Sequence, residues 1–199
     1  MANTFTQIYI QIVFSVRHRA SLIKDVWREN LHRYITGIIQ NKGHKVLAVN
    51  SMPDHIHIFI GMKPDASLSD LVRDIKCNSS KWINDEKTKF MKFEWQEGYG
   101  AFSYSHSQRG EVVTYIQNQQ EHHRKKSFRE EYLEFIKKFE IPFDSKYLYD
   151  VEKGTTDETK KREGPDNETP IRLPSGLPDT GYPICRWHFR RSAAQHRRL

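Results

Sequence analysis

Met52-Pro53-Asp54-His55-Ile56-His57-Ile58-Phe59-Ile60 is the stretch on which the reading of this chain turns. After the Pro53-Asp54 turn signal its residues are β-branched, aromatic or histidine, the pattern of a buried strand. Strand side chains alternate between faces, so His55, His57 and Phe59 share one face while Ile56, Ile58 and Ile60 share the other. Two imidazoles two residues apart on one face can reach a single metal ion. The same spacing fits two half-buried histidines, each satisfied by its own hydrogen bond.

Working outward, residues 5 to 16 are rich in Ile, Val, Phe and Tyr and read as a first strand. A helix over 25 to 41 places Leu31, Ile35, Ile38 and Ile39 on one stripe, with Gly43 suited to its C-terminal cap. Lys45 to Ser51 reads as a second strand, and the two-histidine strand is the third. Ser67 with Asp70 makes a capping-box-like start to a helix that runs to about Asn84, with Leu68, Leu71, Val72, Ile75, Ser79 and Trp82 at helical spacing. A Lys-rich linker leads to a strand over 100 to 105. Then comes a helix through Glu111 to His123, uninterrupted by Gly or Pro, and one more amphipathic helix capped by Ser127 and Glu130. The apolar positions of that last helix are Phe128, Leu133, Phe135, Ile136 and Phe139.

The order βαββαβ, followed by helices, predicts an α+β fold: a ferredoxin-like or RRM-like antiparallel sheet with additional C-terminal helices. Both crossover helices lie on one face in that topology. The opposite face carries His55 and His57, and the 111–123 helix is the element to cover it, from the same chain or a partner.

That helix holds the second chemical signal. Tyr115 and Gln119 are four apart, so an unbroken helix sets them one turn apart on one face. A tyrosine oxygen beside a metal-bound phosphate can act as a nucleophile and form a covalent intermediate. A glutamine oxygen one turn away can supply a third ligand to the same ion. Helical Tyr and Gln also serve as ordinary packing and surface residues.

Five segments, taken in order over roughly residues 5 to 150, resemble the single-tyrosine HUH transposases of the insertion-sequence 200/605 type, their REP-associated relatives included. Tyr9 to Arg19 is similar to the first strand and its basic exit, and Met52 to His57 to the HUH strand, with Ile56 as the bulky apolar residue. Ser67 to Val72, leading to Lys76, resembles the following helix; Trp95 to Ser103 resembles the fourth strand; Tyr115 to His123 resembles the nucleophile helix. The resemblance implies a transposase that cleaves and rejoins single-stranded DNA at hairpin-bearing ends through a 5′-phosphotyrosine intermediate. It implies Tyr115 as nucleophile, and a homodimer in which the tyrosine helix often serves the partner's HUH strand. One tyrosine cannot hold two cleaved ends, so strand exchange favours a dimer on chemical grounds as well.

With His55, His57 and Gln119 as ligands, all neutral, a divalent ion keeps its full charge and attracts phosphate. Oxygen ligands from the substrate then complete an octahedron, which favours Mg²⁺ or Mn²⁺ over Zn²⁺. Asp54 reads first as a turn residue and second as a group that orients an imidazole. His122 is a candidate for touching metal or phosphate, with packing against the sheet as its other reading. Arg17, Arg19, Lys76 and Lys81 are candidate contacts to the DNA backbone, although such clusters are commonly solvated faces. Tyr99, Phe102 and Tyr104 suit base stacking or core packing. No residue stands out as a general base for Tyr115.

Composition agrees with this. A net charge of +7 and a pI near 9.3 suit a polyanionic partner. Cys77 and Cys185 stand far apart, which suggests a reducing compartment without a disulfide framework. No apolar run approaches the roughly 20 residues that span a bilayer, and Met1-Ala2-Asn3-Thr4 lacks the marks of a signal peptide; a cytoplasmic protein with no membrane partner is expected.

The domain organisation expected is a transposase domain over 1–150 and a Pro-rich, basic extension over 151–199. Val151 to Pro170 is polar, and the segment from Cys185 holds Arg186, Arg190, Arg191, Arg197 and Arg198 without an acidic residue. It reads as an unstructured extension, with a DNA-binding arm as the second reading. Two other functions fit the pattern: an RRM-like nucleic-acid-binding module without catalysis, and a domesticated relative acting on genomic palindromic repeats. Gly98 to Phe102 only loosely echoes the aromatic RNP motif of RRM proteins.

Overall fold

The computed structural model describes residues 5–87 and 92–142. The expected boundary at residue 150, the 151–199 extension and Cys185 lie outside the described residues. Four strands, β1 (Tyr9–Ser15), β2 (Lys45–Ser51), β3 (His55–Gly61) and β4 (Gly100–Tyr104), form one sheet in the order β2-β3-β1-β4. All three pairings are antiparallel, so the βαββαβ arrangement is as the element order predicts. Two crossover helices, α1 (Asp25–Asn41) and α2 (Leu68–Glu86), connect them.

Alternation sorts the sheet into two chemically different faces. Ile12 and Phe14 of β1 and Ile56, Ile58 and Ile60 of β3 face α1 and α2, where Leu31, Ile35, Ile39, Leu71 and Ile75 complete a dry core. Inside it, Trp95 Nε1 donates to Ser79 Oγ at 2.8 Å, and that hydroxyl donates to the Ile75 carbonyl at 2.6 Å. Ser79 thus occupies an apolar slot of α2 because both of its hydrogen-bonding capacities are used there. Gly43 ends α1 at φ +77°, a conformation in which an L side chain is strained.

The other face carries His55, His57 and Phe59 with Gln11 and Val13, and this chain covers it itself. From α3 (Arg109–Gln117), Val112 and Ile116 pack on Ala48 and Phe59. Phe128 and Phe135 of α5 (Phe128–Lys138), with Phe139 at its C-terminal cap, pack with Val13 and Phe102. Ser127 and Glu130 form the capping box expected at the start of α5. Gly100 opens the way for α5: a Cβ there would meet the Tyr132 ring at 2.8 Å.

Two local expectations are corrected. The helix drawn from Glu111 to His123 is broken: α3 ends at Gln117, Asn118 has φ −92° and ψ 19°, and α4 runs Gln119–His123. Asn50 on β2 accounts for the break. Its Nδ2 donates to the carbonyls of Ile116 (2.8 Å) and Gln117 (3.2 Å), which ties off the end of α3. The strand read over 100 to 105 is present as β4, but the Trp95 to Ser103 segment that resembles a family strand is divided. Trp95 bridges Val16, Gly98 turns the chain at φ +75°, and β4 begins only at Gly100.

Candidate active site

The site lies on the second face, where the ends of β1 and β3 meet α3, α4 and α5. The register sets Val13 opposite His57 and Ser15 opposite His55. His55 and His57 are 1% and 0% exposed, and their rings stand 5.1 Å apart.

Each histidine is held from behind. His55 Nδ1 lies 2.7 Å from Asp54 Oδ1, and Asp54 Oδ2 accepts from Arg19 Nη2 at 2.5 Å. Asp54 is therefore an orienting carboxylate as well as the turn residue it reads as. Burial would raise its carboxyl, but the hydrogen bonds and charges of His55 and Arg19 prevail and hold it at about 2. His57 Nδ1 lies 3.1 Å from Gln11 Nε2, and Gln11 Oε1 accepts from Tyr104 at 2.8 Å. Both imidazoles thus turn Nε2 toward the covering helices, the arrangement in which a histidine presents its ring to a metal.

On the facing side, the Tyr115 ring packs edge-on to His57 at 6.1 Å and to His122 at 5.2 Å, and its hydroxyl is buried without a hydrogen-bond partner. Gln119 is fully buried despite the break before it; its Nε2 donates to Glu131 Oε1 at 3.0 Å, leaving Gln119 Oε1 unpartnered. Glu131 Oε2 stands 3.5 Å from His57 Nε2 and 3.4 Å from His123 Nε2. His123 Nε2 is 3.1 Å from His55 Nε2. Phe128 stacks on the His55 ring at 4.0 Å and closes the site from above. Beside Tyr115 an open groove of about 690 Å³ runs past Asn118, Glu121, His122, Lys125 and Lys126.

Unpartnered buried atoms cluster here: His57 Nε2, Gln119 Oε1, Glu131 Oε2, His122 Nε2 and the Tyr115 hydroxyl. Buried polar atoms without partners are costly, and their convergence fits a site that takes a cation. The donors present, imidazole nitrogen with amide or carboxylate oxygen, suit a divalent ion. Sequence reading missed Glu131 and Gln11, and did not single out His123 as a ligand. A signal for Glu131 existed: a carboxylate sits on the apolar stripe of α5 between Phe128 and Phe135.

The outer candidates divide. Arg17 pairs with Glu94 at 2.5 Å and Arg19 with Asp54. Lys76 turns inward, its ammonium donating to the carbonyls of Gln96 (2.9 Å) and Gly98, and burial lowers it to about 8. Lys81 is exposed. Phe102 belongs to the core, whereas Tyr99 remains 37% exposed.

The buried histidines make stability depend on pH. Burial pushes His55 down from 6.5 to about 3, and lowers His122 and His123 as well. As pH falls below about 6.5 the unfolded chain takes up protons that the fold refuses, so stability is full above that value and is lost progressively toward about 3. In chelator, His55 alone is expected to cost about 2 kcal/mol between pH 7 and pH 5. A thermal midpoint that does not fall over that interval contradicts this assignment.

Comparison with known proteins places the chain. Residues 4–119 match the family model described as transposase, IS200 like. The ISDra2 transposase TnpA of Deinococcus radiodurans is 22% identical over 118 residues, covering 57% of this chain and 84% of the relative. A crystal structure from Deinococcus radiodurans, of a protein described as a transposase, aligns with TM-score 0.48 at 19% identity over 60% of this chain and 95% of that one. The structure of a REP-associated tyrosine transposase bound to a REP hairpin aligns with TM-score 0.47 at 16% identity, over 62% and 73%. With more than half its length under that one family model, the chain belongs to the IS200-like transposases.

Proposed function

We propose that this transposase cleaves and rejoins single-stranded DNA at hairpin-bearing ends, with Tyr115 as the nucleophile and with His55, His57 and Gln119 holding Mg²⁺ or Mn²⁺. The observation that carries the reading is the Tyr115 hydroxyl, buried and unpartnered on a ring that packs edge-on to His57 at 6.1 Å. A bound ion would polarise the scissile phosphate and offset charge that builds up during displacement. Tyr115 attacks phosphorus and takes over the 5′-phosphate, while the released strand leaves with a 3′-hydroxyl. Attack by a different 3′-hydroxyl reverses the step, so strands exchange without a nucleotide cofactor. Asp54 and Gln11 fix the imidazoles, and Phe128 keeps water from the His55 side.

Within one chain the Tyr115 ring lies 6.1 Å from the His57 ring. A homodimer supplies the second nucleophile that strand exchange requires, so the Tyr115 helix must be able to leave this position. The RRM-like binding reading is not favoured, because Phe102, the central aromatic such a surface would display, is covered by α5.

The test is incubation of the full chain with hairpin-bearing single-stranded DNA and Mn²⁺ or Mg²⁺. A protein–DNA adduct that survives denaturant, requires the metal and is absent in Tyr115→Phe is expected. Good DNA binding with no adduct on any hairpin substrate contradicts the proposal.

A further inference from the structure

We propose that, before DNA arrives, the chain holds one divalent transition-metal ion of the zinc type between His55, His57, His123 and Glu131, a set that needs no substrate oxygen. This deepens the function proposed above and rests on it only in sharing His55 and His57.

The spacing carries the proposal. One donor atom from each of the four residues lies within 4.8 Å of all the others. Three separations are 3.1 Å (His55 to His123), 3.4 Å (His123 to Glu131) and 3.5 Å (His57 to Glu131). Zinc bound at about 2.0–2.2 Å to imidazole and carboxylate sets neighbouring donors of a tetrahedron about 3.3–3.6 Å apart. Three of the six donor separations therefore stand close to the edge length of a tetrahedral site, and the remaining three lie within the 4.8 Å that the four donors share.

The hydrogen-bonding pattern points the same way. His55 directs Nδ1 at the Asp54 carboxylate and His123 directs Nδ1 at the Lys126 carbonyl at 2.9 Å, so both neutral rings carry their proton on Nδ1. Their bare Nε2 lone pairs then face one another across 3.1 Å, which is repulsive unless a cation lies between them. Glu131 is 3% exposed, and its Oε2 has no hydrogen-bond donor. A buried carboxylate oxygen without a donor is costly, and a metal ion removes that cost. His57 joins the set through Gln11. With the Gln11 amide flipped from the orientation described above, so that Oε1 accepts from His57 Nδ1–H and Nε2 donates to the Tyr104 oxygen, the same two contacts leave His57 Nε2 free to bind metal.

Glu131 and His123 come from the covering helices and Gln119 does not belong to this set. A phosphate entering the site takes the place of Glu131, and α5 must yield as it does. The resting ligand set thus selects a nitrogen-loving metal, whereas the DNA-bound set suits Mg²⁺ or Mn²⁺.

The test uses the full chain, without DNA, titrated with Zn²⁺ by calorimetry and with Co²⁺ by visible absorption. Expected are one ion per chain, the intense visible band of tetrahedral Co²⁺, and an affinity at least tenfold weaker in Glu131→Gln and in His123→Gln. Circular dichroism confirms that both variants are folded. No Zn²⁺ binding by the parent chain, or binding unmoved by both substitutions, overturns the proposal; in that case a shared proton separates His55 from His123. Adduct formation on DNA is a separate readout, so either idea can fail without the other.

Discussion

Replacing His57 with alanine is expected to lower the rate of adduct formation on hairpin DNA by about a thousandfold or more. Lewis-acid stabilisation of a phosphoryl transition state contributes several kcal/mol, and each 1.36 kcal/mol is about tenfold in rate. His57 is fully buried, turns its Nε2 toward Glu131, and lies opposite Val13 at the centre of the sheet. The fold should persist, because the main core lies on the opposite face among Ile12, Ile56 and Ile58. The comparison is made in single-turnover reactions at saturating Mn²⁺. A rate within tenfold of the parent would mean that no ion acts through His57.

The largest stability effect is expected at Phe128. Its side chain is 3% exposed, stacks on His55 at 4.0 Å, and joins Val13 and Phe102 in the cluster that seats α5. Phe→Ala in such a setting removes burial and leaves a cavity, about 3–5 kcal/mol in sum. At the lower end that corresponds to a fall in thermal midpoint of about 6–12 °C for a domain of this size. Because Phe128 anchors the helix that carries Glu131, hydrogen exchange over Phe128–Lys138 should quicken while β1 and β3 stay protected. An unchanged midpoint, or loosening that spreads equally through the sheet, would mean that α5 is not an independently seated cover.

How far such effects could be foreseen depends on whether the cause is local. The strand His55–Gly61 and the helix Asp25–Asn41 were legible because alternation and helical periodicity are carried by adjacent residues. The capping box at Ser127 and Glu130 was legible for the same reason. The break at Asn118 was not, since its cause is Asn50 on β2, distant in the chain and adjacent only once the sheet has formed. The start of β4 at Gly100 was legible, whereas the separate place of Trp95 was not: it is drawn to Val16 and to Ser79.

The site shows the same division. The pairing of His55 with His57 on one face follows from the strand alone, and both sit buried there. Glu131 reaches them from α5, so its part depends on how a later helix packs over the sheet. Its one trace in the sequence is a carboxylate in an apolar stripe, a departure that packing alone does not explain. Asp54 carried two readings, turn and support, and the geometry gives it both at once because the turn itself delivers the carboxylate to His55.

The central claim is that Tyr115 makes the covalent bond to DNA. Its most direct test is to form the adduct with Mn²⁺ and hairpin-bearing DNA, digest protein and DNA, and locate the modified peptide by mass spectrometry. A nucleotide joined through its 5′-phosphate to Tyr115 is the predicted result. A stable adduct mapped to any other residue, or a cleaved strand with no nucleotide on Tyr115, would contradict the account.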